Sequence, residues 1–370
     1  MELKNIDKSN WKKYKFSDLV TNVNEKVIPC ESGLEHYIGL KHLDAGSLKI
    51  RRFGETSSLI GNKLKIYKGD FILAKRNAYL KRVSIADFDA VASAHSFVLR
   101  TNQEHVLKEF MPFFLLSEYF WHRAIQISVG SLSPTINWKT LSKQEFILPP
   151  KDQQARLAEL LWAMDEVIEK EKEVFEKIDI LFKSKAKYIS DNKVHYGEYT
   201  KLGDICDIKD NLRKPINSKN RKNMQGEIPY YGANGIVDKI DDFIFDEDLV
   251  LVAEDGGDFR EFFDKEIAYR ISGKSWVNNH AHVISPKKMT STDWLFYSLV
   301  HKNILKYIIG STRLKLNKSE LERIPIWNPS DDIKDSLLKV MNQLFNTRKK
   351  QQKKIIHSQN LQKSIINQIF

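Results

Sequence analysis

The stretch "VGSLSPTINWKTLSKQEFILPP" (residues 129–150) decides the fold, because "IGSTRLKLNKSELERIPIWNP" (residues 309–329) repeats its plan about 180 residues later. In each copy a Gly-Ser turn precedes a polar segment, an asparagine at a helix start, a leucine and a closing proline. A long segment without glycine or proline follows each copy. The pattern indicates a duplicated chain with one long segment after each half.

Other pairs of segments support the duplication. Three more pairs keep the same order along the chain: "KFSDLV" (15–20) with "KLGDIC" (201–206), "GDFILAKRNA" (69–78) with "EDLVLVAEDG" (247–256), and "HSFVL" (95–99) with "HAHVI" (280–284). Chance similarity would not preserve one order in four separate pairs. We therefore expect two homologous domains, at residues 1–150 and 196–329.

Both domains mix strand and helix signals. The runs "FILA" and "LVLVA" are short, apolar and bounded by charge and glycine, which is typical of buried strands. Residues 106–128 and 291–310 carry apolar side chains at helical spacing. A domain of about 140 residues is large enough to enclose its own core. Each half is therefore expected to be a compact domain that contains both helices and strands.

The two long segments, residues 151–195 and 330–370, have the pattern of coiled-coil helices. In the first segment apolar residues alternate at spacings of three and four, and Glu and Lys occupy the exposed positions. In the second segment the polar run "TRKKQQKK" (347–354) weakens the seam. Glu171 and Lys185 interrupt the first seam, whereas Ile333, Leu361, Ile365 and Ile369 extend the second. The predicted helix-pairing residues are Leu157, Leu161, Met164, Ile168, Phe175, Ile178, Phe182, Leu337, Met341, Leu344 and Ile355.

A single helix of this length, about 60 Å at 1.5 Å per residue, would leave its apolar stripe exposed. We expect the two helices to pack antiparallel on each other within one chain. The alternative is that each helix pairs with a helix of another subunit. The predicted class is thus α+β, with two homologous α/β domains separated by two long antiparallel coiled-coil helices.

The bulk composition favours a polyanionic partner. The net charge is +11, and nucleic acid is the leading candidate, although a lysine-rich solvated surface would give the same charge. The chain has no apolar leader and no window long enough to span a membrane, so we expect no membrane partner. Cys30 and Cys206 lack metal-site spacing, and a reducing, intracellular setting is expected.

The order domain, long helix, domain, long helix resembles the specificity subunit of a type I restriction–modification system. "YIGLKHLDAG" (37–46) and "IPYYGANGIVDKI" (228–240) resemble the early signatures of its target-recognition domains. Residues 130–168 resemble the junction into its first conserved helix. The second junction departs from that pattern, with Asn-Pro where the first has Pro-Pro. The resemblance covers essentially the whole chain.

This resemblance implies that the chain acts in phage defence but catalyses no reaction itself. Residues 1–150 and 196–329 would be target-recognition domains that each read one half of a bipartite DNA target. The helices at 151–195 and 330–370 would set the spacer and hold two modification (methyltransferase) subunits, with or without two restriction (motor–nuclease) subunits. S-adenosylmethionine, ATP and Mg²⁺ are expected on those partners and no cofactor in this chain, in a bacterial or archaeal cytoplasm.

Catalytic motifs are not found in the sequence. "SGKS" (272–275) resembles the end of a phosphate-binding loop, but alanine stands at position 268 where that motif needs its first glycine. "NPSD" (328–331) lacks the second proline and the aromatic residue of an amino-methylation motif, and the histidines show no metal-ligand spacing. The sequence therefore predicts no enzyme and no metal site.

Three alternatives remain open. The chain could be a single-chain nuclease or methyltransferase, or a coiled-coil scaffold that binds no DNA. It could also be the specificity subunit of a related defence system, either a fused type II-like enzyme or a phage-exclusion system.

Basic and amide residues in predicted loops are the candidate DNA contacts. Arginine and lysine bind phosphate or guanine, and asparagine reads adenine. Arg76, Asn77, Asn234, Asn278 and Asn279 are the candidate base readers, and most others should contact phosphate, although a structural or solvated role is open for each. The full set is Lys49, Arg51, Arg52, Lys75, Arg76, Asn77, Tyr79, Lys81, Arg82, Arg213, Lys214, Lys219, Arg221, Lys222, Asn234, Asn278, Asn279, Arg313 and Lys315.

Overall fold

A computed structural model describes residues 7–57, 59–190, 198–288 and 290–370. The chain forms two compact units, of which unit 1 combines Met1–Lys172 with Lys353–Phe370 and unit 2 is Glu173–Gln352. Each unit thus contains one predicted domain and part of both long helices. The predicted end of the first helix at 195 and the predicted start of the second domain at 196 lie outside the described residues.

Unit 1 is built on two larger sheets, one two-stranded sheet and several short helices. Its strands are β1 (Lys12–Lys15), β2 (Val20–Val23), β3 (Lys26–Val27), β4 (His36–Ile38), β5 (Gly54–Glu55), β6 (Lys63–Ile66), β7 (Phe71–Ala74), β8 (Val83–Ile85), β9 (Ala90–Ala92), β10 (Ser96–Thr101) and β11 (Glu145–Leu148). Its helices are α1 (Phe16–Leu19), α2 (Met111–Leu116), α3 (Glu118–Gln126), α4 (Trp138–Leu141), the first part of α5 (Lys151–Ser190) and the last part of α10 (Asp331–Ile369).

The central sheet of unit 1 has the order β2-β10-β7-β8, and all its pairs are antiparallel. Alternate side chains of a strand point to opposite faces. Phe71 and Leu73 of β7 therefore pack among the helices, whereas Ile72 and Ala74 pack against the second sheet, β3-β6-β9-β4-β5. Burial on both faces explains why the predicted strand "FILA" is apolar throughout, and that prediction is confirmed.

Unit 2 repeats this plan. Its strands are β12 (Tyr199–Lys201), β13 (Cys206–Ile208), β14 (Gln225–Gly232), β15 (Gly235–Ile240), β16 (Phe245–Asp246), β17 (Leu249–Ala253), β18 (Ala268–Ile271), β19 (Lys274–Val277), β20 (Ala281–Pro286), β21 (Ile308–Ile309), β22 (Lys315–Leu316) and β23 (Pro325–Trp327). Its helices are the second part of α5, α6 (Leu202–Ile205), α7 (Ser218–Arg221), α8 (Thr292–Leu299), α9 (Lys318–Glu322) and the first part of α10 (Asp331–Ile369).

The two central sheets share one topology. The order β13-β20-β17-β18 in unit 2 matches β2-β10-β7-β8 in unit 1, and β12 pairs with β23 as β1 pairs with β11. The second sheets differ, because unit 2 has β15-β14-β19-β16 in that place. The duplication predicted from the sequence is therefore confirmed in the central sheets, and the divergence lies in the second sheets.

Backbone pairing corrects the alignment of the two halves by one residue. Ala74 pairs with Ser96, and Ala253 pairs with Ala281 at the same place in unit 2. Lys75 therefore corresponds to Glu254, whereas the sequence comparison set Lys75 against Ala253. The alignment was wrong because a run of apolar strand residues has no internal landmark.

Two predicted helices are shorter than their hydrophobic pattern. Residues 106–128 form α2 and α3, which are separated at Ser117, where the backbone is extended (ψ 147°) and the hydroxyl accepts from Phe120 N–H as an N-cap. In residues 291–310, α8 ends at Leu299 and the chain continues into a 3₁₀ turn (Leu305–Tyr307) and β21. Hydrophobic spacing does not reveal such breaks.

The helices α5 and α10 pack antiparallel in each unit. In unit 1, Gln362 Nε2 donates to Leu161 O at 3.3 Å, and Lys354 Nζ lies 3.3 Å from Glu171 Oε1. In unit 2, Arg348 Nε donates to Asp179 Oδ1 at 2.6 Å, nearer to the C-terminal end of α5. Residues with higher numbers in α5 contact residues with lower numbers in α10, so the two helices are antiparallel and pair within the chain.

The structure places all the predicted helix-pairing residues in buried or half-buried positions. Leu157, Leu161, Ile168, Phe182 and Met341 are buried, and Met164, Phe175, Ile178, Leu337, Leu344 and Ile355 are half-buried. The prediction that Ile333 and Leu361 extend the second seam was wrong, because both side chains are exposed. Near Leu361, the buried residues of α10 are Gln362 and Ile366. Within the described ranges, none of the helices combines the length and apolar character needed to traverse a bilayer.

Candidate nucleic-acid interface

The duplicated junction closes one end of each central sheet. Thr135 forms a backbone bridge with Arg76 in unit 1, and Lys315 forms one with Asp255 in unit 2. A glycine begins the loop in both copies, with φ of +113° at Gly130 and +90° at Gly310. A Cβ at residue 310 would collide with the carbonyl oxygen of Arg313, so the tight turn requires glycine. The Gly-Ser repeat in the sequence reflects this turn.

A cleft of about 590 Å³ opens beside the junction in unit 1 and is called the unit 1 cleft below. Its lining includes three lysines and four asparagines, and no aspartate or glutamate is among the described residues around it. The lining residues are Asn22, Val23, Asn24, Lys26, Asn62, Lys63, Leu64, Lys75, Ala94, Ser96, Phe97, Thr135, Ile136, Asn137 and Trp138. Such a lining attracts anions.

Lys75 lies half-buried in the unit 1 cleft. Its ammonium nitrogen is 5.4 Å from the centroid of the Phe97 ring. Burial lowers the pKa of Lys75 from its usual value, because the surrounding protein disfavours the charged form. Of the predicted DNA contacts in unit 1, Lys75 is the one placed in this cleft.

Two predicted base readers of unit 1 meet at the junction loop. Arg76 Nε donates to Ser133 Oγ at 2.8 Å, and Ser133 Oγ donates to Asn77 Oδ1 at 2.6 Å. Asn77 has a left-handed backbone (φ +56°), which asparagine tolerates better than most residues. Ser133 therefore holds both side chains at the surface of the loop, a role that the sequence reading missed.

A second depression, about 870 Å³ in volume, lies at the junction of unit 2 and is called the unit 2 groove. It brings Asn234, Asn278 and Arg313 together, whereas Asn279 is exposed outside it. Its lining residues are Gly232, Ala233, Asn234, Gly235, Ile236, Val237, Asp255, Gly256, Gly257, Asn278, His280, Thr312, Arg313 and Leu314. The tip of the β14–β15 hairpin forms one wall.

Asp255 is the polar centre of the unit 2 groove. One carboxylate oxygen lies 2.6 Å from His280 Nδ1, and the other lies 3.1 Å from Arg313 Nη2. Asp255 thereby orients Arg313, whose side chain is 78% exposed. The amides are partly committed, since Asn234 Nδ2 donates to Gly256 O and Asn278 Oδ1 accepts from His280 N–H. The sequence reading found Arg313 but missed Asp255 and His280.

Several predicted DNA contacts of unit 1 have intramolecular partners. Lys49 and Arg51 form ion pairs with Glu169 on α5. Burial raises the pKa of Glu169, but hydrogen bonds from Lys172 and Arg51 outweigh burial, and the pKa lies below its usual value. These contacts fix a domain loop on α5, which is the structural role that the sequence left open for such residues.

Other basic residues of unit 1 are also engaged. Arg52 pairs with Asp44, Lys81 with Glu118, and Arg82 Nη1 donates to Leu40 O at 2.7 Å. Tyr79 is exposed and lines a separate cavity beside α10, away from the unit 1 cleft. The structure brings none of these side chains into the cleft.

A buried ionic cluster occupies the matching place in unit 2. Arg213 Nη1 donates to Glu254 Oε2 and to Ala281 O, both at 2.7 Å, and Arg213 Nη2 lies 3.4 Å from Asp210 Oδ2. His282 bridges Asp210 and the carbonyl of Leu316. Asp210, Glu254 and His282 lie close enough together to hold a metal ion, but the guanidinium of Arg213 already pairs with both carboxylates.

The remaining basic candidates of unit 2 divide into engaged and exposed residues. Arg221 donates to Asp238 and Ile216 O and covers the Tyr230 ring, and Lys315 lies 3.1 Å from Glu254. Lys214, Lys219 and Lys222 have exposed side chains. Arg213 and Arg221 thus stabilise loops, because acidic residues distant in the sequence lie against them in the fold.

Comparisons with known proteins agree with this architecture. A protein of Haemophilus influenzae, named as a candidate type I restriction enzyme specificity subunit, is 35% identical over 147 residues, which are 40% of this chain and 37% of that relative. The chain thus matches well under half the length of this curated relative.

Solved structures share the fold. The crystal structure of a type I restriction–modification S subunit from M. genitalium has a TM-score of 0.63 at 16% identity and covers 99% of this chain and 98% of its own. A chain from a study of type I R-M complex assembly and conformational transition has a TM-score of 0.54 at 16% identity, with 97% of both chains covered. The profile of the type I restriction modification DNA specificity domain matches residues 8–179 and 197–357. This protein therefore belongs to the family of type I restriction modification DNA specificity domain proteins.

Proposed function

We propose that the chain is the DNA-reading specificity subunit of a type I restriction–modification complex. The observation that carries this proposal is one shared central sheet whose two junctions present different side chains, Arg76 and Asn77 in unit 1, and Asn234, Asn278 and Arg313 in unit 2. Two homologous readers with different linings would recognise two different half-sequences. The net charge of +11 supports a nucleic-acid partner.

The chemistry of the two junctions fits base and backbone recognition. Arginine can donate two hydrogen bonds to guanine O6 and N7, and asparagine can bond adenine at N6 and N7. Arg76 and Asn77 occupy the junction loop of unit 1, and Asn234, Asn278 and Arg313 occupy the groove of unit 2. We assign the first group to one half-site and the second group to the other.

The long helices would set the spacer and bind the partner subunits. Apolar side chains that α5 and α10 leave exposed are surfaces on which other subunits can pack. They include Val167, Val174, Ile180, Leu181, Ile333, Val340, Ile356 and Leu361. We assign these surfaces to two modification subunits that methylate adenine, with or without two restriction subunits.

In this proposal the chain has no chemistry of its own. S-adenosylmethionine would bind the modification subunits, and ATP and Mg²⁺ would serve the restriction subunits. The complex would work in the cytoplasm, where its DNA substrate is found. The solved chain with a TM-score of 0.54 comes from work on the assembly of a type I R-M complex, which supports such partners.

The test is a reconstitution with labelled S-adenosylmethionine and duplex DNA. The purified chain alone should transfer no methyl group, and adding its modification subunit should give transfer at specific sites. Methyl transfer by the chain alone would show that it is itself the enzyme. If the chain fails to bind duplex even with the modification subunit present, it is a scaffold that does not read DNA.

A further inference from the structure

Each central sheet carries three equivalent side-chain positions, which together are called the cage. The cage carries a cation in unit 1 and two carboxylates in unit 2. In unit 1 the cage contains Asn24, Lys75 and Phe97. By strand pairing, the corresponding positions in unit 2 are Asp210, Glu254 and His282. The backbone confirms the match, because Ile136 N–H donates to Lys75 O in unit 1 and Leu316 N–H donates to Glu254 O in unit 2.

The cage of unit 2 is closed by its own charges. Asp210 and Glu254 are both paired with Arg213, and Lys315 adds a second cation to Glu254. His282 is buried and bonded at both ring nitrogens. The acidic side chains of this cage are therefore already paired with cations of the same unit.

The cage of unit 1 is open and has an excess of positive charge. Around this cleft the described residues include no carboxylate, and the Lys75 ammonium faces the Phe97 ring. Lys26 and Lys63 stand at the rim, where Lys63 Nζ donates to Ile60 O at 2.7 Å. The amides of Asn22 and Asn24 provide further donors. A half-buried ammonium is costly unless an anion completes its surroundings.

We infer that the unit 1 cleft binds one phosphate group of the nucleic-acid backbone through Lys75, and that unit 2 has no equivalent site. Lysine is a compact point charge, which suits phosphate better than the paired acceptors of a base. This inference rests on the proposed function and implies that the two units bind the DNA backbone unequally. The complex would hold the first half-site by its backbone more strongly than the second.

Binding of the full chain to duplex DNA at several salt concentrations tests the inference. Neutralising one phosphate contributes about 0.9 to the slope of log affinity against log salt. Lys75→Gln should reduce the magnitude of the negative slope by about 0.9. It should also weaken binding about eightfold at 0.1 M salt, equally for target and unrelated duplexes. Lys75→Arg should keep most of the slope, and exposed Lys143→Gln is the matched control.

Three results would overturn the inference. An unchanged slope in Lys75→Gln would remove Lys75 from the interface, and a changed base preference would make it a base reader. The third result uses inorganic phosphate, compared with chloride at equal ionic strength. If phosphate raises the melting temperature of the wild type alone while the DNA slope is unchanged, the cleft binds free phosphate rather than nucleic acid. If the wild type does not bind duplex at all, the proposed function itself fails.

Discussion

Lys75 of unit 1 and Glu254 of unit 2 occupy the same place in two equivalent sheets. Lys75 N–H donates to His95 O at 3.1 Å, and Glu254 N–H donates to His280 O at 2.9 Å. One backbone frame thus presents a cation in one unit and a carboxylate in the other. The duplication preserves the frame and varies the side chains, as the proposed reading of two different half-sites requires.

Removing the cation from the closed cage of unit 2 should destabilise that unit. Arg213→Met removes the guanidinium that Asp210 and Glu254 share, and removing one partner of a buried ion pair costs up to about 3–5 kcal/mol. Lys315 stays beside Glu254 and His282 beside Asp210 in this variant. Thermal unfolding should show a lower melting transition for this variant. Lys219→Met removes an exposed lysine of the same region and should change stability by less than about 0.5 kcal/mol. Equal melting temperatures for the two variants would contradict the structural role of Arg213.

A buried histidine should make unit 2 less stable in mild acid. Burial lowers the pKa of His301 from its usual 6.5, despite the hydrogen bond of Nδ1 to Phe262 O and nearby Glu266. The unfolded chain therefore takes up the proton more readily, and stability falls as pH drops below about 6.5. The positive charges of Lys183 and Arg348 also lower the pKa of His301, and Arg348 pairs with Glu266.

The matched variant for this pH dependence is His301→Asn, whose amide can keep a donor toward Phe262 O without titrating. Melting temperatures of the variant should decline less than those of the wild type between pH 7 and pH 5. Parallel declines in both proteins would show that other groups cause the acid sensitivity.

Base specificity should change in one half-site at a time. Arg313→Lys removes the planar guanidinium that Asp255 orients, and loss of a bidentate base contact costs about 1–3 kcal/mol of discrimination. Sequencing of methylated sites should show relaxed preference at one position of the second half-site. Arg76→Lys, the matched change at the junction of unit 1, should relax the first half-site instead. A change in both half-sites from either variant would contradict separate readers.

The repeat and the long helices could be predicted from the sequence because ordered motifs and heptad spacing are local signals. The one-residue alignment error at Lys75, the break at Ser117 and the exposed Leu361 were not predictable in this way, since they depend on hydrogen bonds and packing. The site followed the same rule. Arg213 is a loop cation in the sequence, and only the fold places Asp210 and Glu254 against it.

Lengthening both helices should lengthen the spacer between half-sites. A seven-residue insert between Lys172 and Glu173 in α5, with a second between Gln352 and Lys353 in α10, adds about 10 Å of helix while keeping the heptad pattern. The spacer should grow by about three base pairs, at 3.4 Å each, with both half-sequences unchanged. Inserting into one helix alone shifts the seam and should abolish assembly. A constant spacer in the double insert would show that the helices do not set it.

The most direct measurement is the sequence of all methylated adenines in a host that expresses this chain with its modification subunit. We predict one bipartite motif, with two different defined halves separated by a spacer of fixed length and free sequence. A single continuous motif, or methylation that does not depend on this chain, would contradict it.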